Sequence, residues 1–217
     1  MALGAPTRKK REDIAGAILA GGKSTRMGRD KAMLDLLGKT FIQRIAETLQ
    51  AVFGDVVVVS AWRERYSFLD LPIIKDIYKN CGPLGGIHAA LSTTEAPAVF
   101  FCSCDVPFVS PEIVHYVVNR RFLDQVTLLL GSNSLQPLFG VYKQSCLPVI
   151  EKQLKHGQYS VQRCIFQLTT TILSEPSRYR EAYVNPLMNI NTPFDYEQCL
   201  RMLEDRRTRT GIMPQTI

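Results

Sequence analysis

No apolar run in this sequence is long enough to cross a bilayer. The longest runs, such as Ala96 to Cys102, fall far short of the roughly 20 residues that a spanning helix needs. Residues 1–13 contain Arg8-Lys9-Lys10-Arg11, but no apolar segment follows, so they are not typical of a secretory signal. The sequence therefore predicts no membrane partner and favours a cytoplasmic location.

Residues that commonly hold zinc are few and poorly spaced. The chain has six cysteines and three histidines, and no pair of cysteines forms C-x-x-C. No histidine stands at ligand spacing from a cysteine, which argues against a zinc site. A chain of 217 residues without a secretion signal also has little need of a disulfide framework.

Basic charge is concentrated at the two ends. The net charge is +6, and residues 1–13 and 201–217 each carry four basic and two acidic residues, so +2 remains for the rest. No aromatic residues are interleaved with these charges to stack on bases. The sequence therefore predicts no nucleic-acid partner.

Apolar runs of strand length alternate with amphipathic stretches of helix length, which predicts a three-layer α/β/α fold with a mostly parallel sheet. Residues 14–205 are expected to form one domain, with residues 1–13 as a flexible leader and 206–217 as a flexible tail. The predicted strands are Ile14–Leu19, Asp55–Ser60, Leu71–Lys75, Pro97–Cys102, Val126–Leu130, Leu138–Tyr142 and Thr169–Leu173. The predicted helices are Thr40–Phe53, Leu84–Ser92, one from Ser110-Pro111, Gln144–Lys155, and one from Thr192-Pro193 to Met202 or beyond.

The first predicted strand leads into a glycine-rich, cationic loop. Ala20-Gly21-Gly22 is followed by several basic and hydroxyl residues, and then by apolar residues compatible with a helix. Glycines allow backbone N–H groups to approach an anion, and basic side chains neutralise its charge. The pattern predicts a phosphate cradle, although a solvated surface loop has the same composition.

The loop belongs to neither of two common phosphate motifs. A P-loop ending at Gly22-Lys23-Ser24 would need its first glycine at position 17, which is Ala17. The dinucleotide fingerprint G-x-G-x-x-G also fails, because Gly21 and Gly22 are adjacent and the next glycine is Gly28. Another kind of nucleotide site is therefore expected.

Five short segments, in order, resemble the molybdenum cofactor guanylyltransferases, the MobA family. They are Leu19 to Lys31, Asp76 to Leu84 with its Gly82-Pro83-Leu84, Ser103 to Phe108, Gln136 to Tyr142, and Asn189 to Pro193. The resemblance implies a Rossmann-like nucleotidyltransferase fold. It also implies transfer of GMP from GTP to the terminal phosphate of Mo-molybdopterin, with release of pyrophosphate and with Mg²⁺ as cofactor. Proteins that deliver or receive the cofactor are further partners that it allows.

The resemblance assigns roles to residues of this chain. Arg26, Lys31 and Asp105 are the expected catalytic residues, with Asp105 as the metal ligand, and Asn189 and Asn191 are expected on the acceptor side. The expected nucleotide-binding residues are Leu19, Ala20, Gly21, Gly22, Ser24, Lys31, Asp76, Gly82, Pro83, Leu84 and Asp105. If the first strand and Pro97–Cys102 are neighbours, the loop and Asp105 face one crevice at the carboxyl edge of the sheet.

Other interpretations stay open at this point. Asp105, Asp76 and the two asparagines are residues that also occur in ordinary turns and helix caps. A cytidylyltransferase or a sugar-phosphate nucleotidyltransferase would share the loop. A non-catalytic molybdopterin carrier would bind the acceptor without needing Lys31 or Asp105.

Overall fold

The computed structural model of the chain describes residues 10–21, 30–120, 124–131, 134–180 and 185–210. Its strands are β1 Ala15–Leu19, β2 Asp35–Leu36, β3 Lys39–Thr40, β4 Val56–Val59, β5 Ile73–Ile74, β6 Ala98–Ser103, β7 Val126–Leu130, β8 Leu135–Lys143 and β9 Thr170–Ser174. Its α-helices are α1 Phe41–Val52, α2 Gly82–Thr93, α3 Pro111–Val118, α4 Leu147–Lys155, α5 Val161–Ile165, α6 Ser177–Arg180 and α7 Pro193–Thr210.

Seven of these strands form one sheet in the order β5-β4-β1-β6-β8-β7-β9. Within this sheet β8 runs antiparallel to both of its neighbours, and the other pairs are parallel. β1 and β6 are direct neighbours, with Leu19 beside Ser103 at their carboxyl ends. The prediction of a mostly parallel sheet is confirmed, and the loops after β1 and β6 leave the same edge.

Helices cover both faces of the sheet. Successive side chains of a strand point to opposite faces, so one strand contributes apolar side chains to both clusters. Ile14 and Ile18 lie in a buried cluster with residues of α1 and α3. Ala15 and Ala17 lie in a second cluster with residues of α2, α4 and α5. The three predicted layers are therefore present. Each of the two helical layers has its own apolar contact with the sheet between them.

A third, smaller cluster fixes the last helix to the part of the chain that follows the cationic loop. Cys199 and Leu203 of α7 pack with Leu34, Leu36 and Phe41. The hydroxyl of Tyr196 also donates to the carbonyl of Asp35 at 2.6 Å. Burial and hydrogen bonding thus place the segment just before α7 close to the start of the site.

The structure bears out the long predicted elements and adds short ones. Thr40 caps α1 with a capping box, in which the side chain of Gln43 accepts from the N–H of Thr40. The helix-compatible residues after the cationic loop form instead one 3-10 turn, Lys31–Met33, and the hairpin β2–β3. A two-strand hairpin with Gly38 at φ +83° ends any helix there.

Two further observations concern the cysteine thiols and the length and apolarity of the helices. All six cysteines are buried free thiols, so no disulfide framework exists. In the part of the chain that the structure describes, no helix has the length and apolarity to cross a membrane. The predicted division into leader, domain and tail stays a prediction.

Candidate nucleotide-binding active site

The loop after β1 is anchored at its start by both neighbouring strands. The N–H of Ala20 donates to the carbonyl of Val59 at 3.0 Å, and the carbonyl of Leu19 accepts from the N–H of Cys104 at 3.3 Å. Gly21 follows, and among the described residues no atom would lie within 4 Å of a Cβ there. The chain therefore enters the predicted cradle from a position fixed by the two strands. Gly22, Ser24 and Arg26 lie outside the described residues.

Of the basic residues in the predicted cradle, Lys31 lies within the described part of the chain. It begins the 3-10 turn Lys31–Met33, which Asp30 caps by accepting from the N–H of Ala32 at 3.1 Å. The other oxygen of Asp30 accepts from the hydroxyl of Tyr66 at 2.7 Å and from Arg65 at 2.9 Å. Three donors on one carboxylate hold the turn, and so the backbone of Lys31, in a fixed position.

The ammonium of Lys31 lies between two predicted site residues. It donates to Oδ1 of Asn191 at 2.8 Å and lies 3.7 Å from Oδ2 of Asp105. The side chains of Lys31 and Asp105 are each 17% exposed. Three residues far apart in sequence therefore meet at the carboxyl end of β1 and β6, where the charge stays accessible to a ligand.

Asp105 is held by its own strand and by the segment before α7. Its Oδ1 accepts from the hydroxyl of Ser103, and its carbonyl accepts from the N–H of Ile190 at 2.9 Å. The adjacent Cys104 is buried, which raises the pKa of its thiol to about 12. The thiolate is the nucleophilic form of cysteine, so burial keeps Cys104 as the neutral, less reactive thiol at neutral pH.

The donor set around Asp105 fits a magnesium ion carried by a nucleotide. Among the described residues, no group of three or more His, Cys, Asp or Glu side chains could hold a metal ion. Mg²⁺ at phosphate sites takes one or two carboxylates and completes its shell with phosphate oxygens and water. A single partly exposed carboxylate next to a lysine is consistent with that mode and not with a closed structural metal site.

Asp76 lies beside the first turns of α2, in a second part of the site. A Cβ on Gly85 or Gly86 would stand 3.7 Å from one of its carboxylate oxygens. Burial raises the pKa of Asp76, because a half-buried carboxylate loses hydration. The helix begins with Gly82 at φ +61° and then Pro83, and its first N–H groups lack partners within the helix. Among the described residues, this second part of the site therefore offers a ligand the Asp76 carboxylate as an acceptor and nearby backbone N–H groups as donors.

Leu19 links the two parts of the site. Its side-chain Cδ2 would lie 3.1 Å from a Cβ on Gly86, while its carbonyl bonds to Cys104 next to Asp105. The carbonyl of Leu19 and the N–H of Ala20 already take part in hydrogen bonds beside the sheet, so these two groups are less available to a nucleotide base. Leu84 is 1% exposed and serves the core. Asp76 and the first turn of α2 remain as the base-reading candidates.

The two predicted acceptor residues have different surroundings. The side-chain amide of Asn189 donates to Gln136 at 3.4 Å, at the start of β8. The oxygen of the Asn191 amide accepts from Lys31. Of the two asparagines, Asn191 is therefore the one whose hydrogen bond reaches the Lys31–Asp105 pair.

Sequence reasoning missed several residues that support the site. Asp30, Ser103, Tyr66 and Asp195 all hydrogen-bond to site residues or to their immediate neighbours. The position of Asp30 directly before the 3-10 turn is a cap signal that could have been found. Tyr66 has no local signal, because its partner stands 36 positions earlier.

The fold and the site together define an α/β nucleotidyltransferase, with a cation and a carboxylate at the carboxyl edge of neighbouring parallel strands. Residues 16–171 match the MobA-like NTP transferase domain, and the chain belongs to this family.

Similar proteins of known name and structure agree with that family. A relative from Pelotomaculum thermopropionicum, named probable molybdenum cofactor guanylyltransferase, is 34% identical over 89% of this chain and 95% of its own length. A relative of the same name from Aquifex aeolicus is 33% identical over 84% of this chain and 88% of its own. A solved structure from Aquifex aeolicus has a TM-score of 0.74 at 31% identity, covering 86% of this chain and 99% of that one.

A more distant solved structure supports the fold alone. Molybdopterin-guanine dinucleotide biosynthesis protein A from Archaeoglobus fulgidus has a TM-score of 0.75 at 23% identity, covering 88% of this chain and 99% of that one. The resemblance first drawn from five short segments therefore extends to most of the chain and to its three-dimensional form.

Proposed function

We propose that this chain transfers GMP from GTP to the terminal phosphate of Mo-molybdopterin and releases pyrophosphate. The observation that carries the proposal is the Lys31–Asp105 pair at the carboxyl ends of β1 and β6. Near-full-length relatives bearing the guanylyltransferase name supply the choice of nucleotide and acceptor.

The reaction requires positioning and charge neutralisation more than proton transfer. An oxygen of the acceptor phosphate attacks the α-phosphorus of GTP. The bond from that phosphorus to the bridging oxygen breaks, and pyrophosphate leaves with the electron pair. The attacking oxygen is already anionic, so no strong general base is needed.

Each site residue then has a defined task. Lys31 offsets negative charge on the phosphates, and Asp105 with the phosphate oxygens would hold Mg²⁺. When bound, this ion supplies further neutralisation of the phosphate charge. Gly22, Ser24 and Arg26 belong to the loop that follows β1, and all three are proposed to contact the phosphates.

Guanine recognition rests on Asp76 and the first turn of α2. Guanine offers two adjacent donors, N1–H and N2–H₂, and a carboxylate can accept both. Such a ligand restores the hydrogen bonds that burial denies to the Asp76 carboxylate. Adenine offers a donor beside an acceptor on that edge, and so leaves one carboxylate oxygen unpaired.

The acceptor is proposed to approach from the side of Asn189. The reaction is proposed to take place in the cytoplasm. Six unpaired cysteines agree with a reducing compartment. Proteins that hand over Mo-molybdopterin or accept the product are proposed partners, with no residues assigned to them.

The proposal is tested by incubating the purified chain with GTP, Mg²⁺ and Mo-molybdopterin and measuring pyrophosphate together with the dinucleotide product by mass spectrometry. Pyrophosphate should appear only with both substrates, stop after EDTA treatment and return with added Mg²⁺. A carrier protein would bind the acceptor and release no pyrophosphate, and that result would refute the proposal.

A further inference from the structure

The short segment before α7 reaches back to the phosphate-binding lysine. We infer that Asn191 is a positioning residue that acts on the nucleotide side, by holding the Lys31 ammonium for the phosphates, and that Asp195 holds Asn191 in place. This inference rests on the proposed function, since it requires that Lys31 bind nucleotide phosphates.

The contact between Asn191 and Lys31 has a chemical consequence. The amide oxygen accepts from the ammonium at 2.8 Å, whereas the Asp105 carboxylate lies 3.7 Å away. An uncharged acceptor fixes the direction of the ammonium and does not itself neutralise the positive charge. A carboxylate at the same position would fix it equally well and would also neutralise it. Asparagine therefore suits a lysine that must meet an anion.

Asp195 determines the conformation of the residue that holds the lysine. Its Oδ2 accepts from the N–H of Asn191 at 2.9 Å and from the N–H of Thr192 at 2.8 Å. The hydroxyl of Thr192 accepts in return from the N–H of Asp195 at 3.1 Å. Burial would raise the pKa of Asp195, but these hydrogen bonds and the nearby Lys31 charge outweigh it and lower the pKa.

The whole segment is fixed to the elements that carry the site. Ile190 is fully buried, and its N–H donates to the carbonyl of Asp105. Cys199 of α7 packs in the cluster that includes Leu34, three residues after Lys31. Asn191 therefore has little freedom to move away from the ammonium, and its orientation is already set before an acceptor arrives.

The test separates nucleotide binding from acceptor binding. GTP affinity is measured by isothermal titration with Mg²⁺ and without Mo-molybdopterin, and the KM for Mo-molybdopterin is measured separately. Asn191→Ala should weaken GTP binding on the order of tenfold, the size expected for a charge-assisted hydrogen bond, and leave the acceptor KM unchanged. Asn185→Ala is the matched control, because its side chain bonds to Glu175 and to the Leu187 N–H and should leave GTP binding unchanged.

A second variant tests the charge argument without loss of shape. Asn191→Asp keeps an oxygen acceptor and the volume, so the fold should be retained, but it adds a negative charge beside the phosphates. GTP affinity should fall below that of Asn191→Ala while the melting temperature stays at or above that of the wild type. Asn191→Asp with the GTP affinity of the wild type would overturn the inference.

Two further variants test whether Asp195 and Lys31 act through Asn191. Asp195→Ala should weaken GTP binding in the same direction as Asn191→Ala, and Glu197→Ala, on the exposed face of the same helix, should not. In a Lys31→Ala background, Asn191→Ala should add no further loss.

The failures of the inference and of the proposed function are distinguishable. An Asn191→Ala variant with normal GTP affinity and a raised acceptor KM overturns the inference and leaves the proposed function standing. Lys31→Ala with normal GTP affinity overturns the phosphate role of Lys31 itself, and the inference fails with it.

Discussion

Replacing Asp105 by asparagine should separate catalysis from stability. The substitution keeps the side-chain volume and removes one charge next to Lys31, at a separation of 3.7 Å. At an effective dielectric constant of about 20, Coulomb's law gives roughly 4–5 kcal/mol for unit charges that close. Most of this attraction is offset by the cost of removing both groups from water. A net loss of about 1–2 kcal/mol in the free energy of unfolding is therefore expected.

The effect on turnover should be much larger than the effect on stability. For a chain of this size, that loss corresponds to a fall of about 2–8 °C in melting temperature. Loss of the carboxylate proposed to bind the metal should cost about 3–4 kcal/mol in the transition state, which lowers kcat roughly 10²–10³-fold. The assay is pyrophosphate release at saturating GTP, Mg²⁺ and Mo-molybdopterin, with circular dichroism on the same samples.

Glu47→Gln is the matched control, because it also removes the acid from a lysine–carboxylate pair. Glu47 and Lys39 lie 2.7 Å apart, with side chains 55% and 51% exposed. Such exposed pairs contribute at most about 1 kcal/mol, and this one is outside the site. Wild-type kcat is expected in the control. If Asp105→Asn also retains kcat within about threefold, with an intact fold, the metal-binding role of Asp105 is refuted.

Two further predictions concern Asp76 and the two glycines of α2 beside it, Gly85 and Gly86. Burial raises the pKa of Asp76, so the folded state binds its proton more tightly and stability falls as the pH rises from the unfolded pKa of about 3.9 towards the folded value. Asp76→Asn should therefore be slightly more stable than the wild type at pH 7, by less than about 1 kcal/mol, and equal to it below about pH 4, while GTP affinity falls. Urea unfolding at both pH values checks this, and a less stable variant at pH 7 would contradict it. Gly85→Ala should cost about 1–3 kcal/mol because its Cβ would meet the Tyr78 carbonyl oxygen at 2.9 Å, whereas Gly86→Ala should stay within about 1 kcal/mol because Leu19 can move its side-chain end. The opposite order in urea midpoints would refute this.

Local patterns were sufficient to predict the elements that depend on local chemistry. The apolar run before Ala20 predicted β1, and Thr40 followed three positions later by Gln43 agrees with the observed cap of α1. The sequence left open whether β1 and β6 are neighbours, and it is their observed pairing that brings the loop and Asp105 to one edge of the sheet.

Long-range contacts could not be predicted in this way. Lys31 and Asn191 are 160 positions apart, and no periodicity or spacing signals that one accepts a hydrogen bond from the other. The same holds for the contact of Tyr66 with Asp30. The hairpin of β2 and β3 is too short for a strand pattern, and its apolar residues suit a helix equally well. In the structure Gly38 makes its turn, and Leu36 packs with Cys199 and Leu203 of α7.

The central claim is tested most directly by comparing kcat/KM for GTP, ATP and CTP with Mo-molybdopterin as the common acceptor. A mismatched base leaves buried polar groups unpaired, at a cost of roughly 1–3 kcal/mol for each group. GTP should therefore be preferred over ATP and CTP by about 5-fold to 150-fold for each unpaired group. Equal or better efficiency with CTP would contradict the guanylyltransferase assignment, and an absence of pyrophosphate with all three nucleotides would contradict nucleotidyl transfer itself.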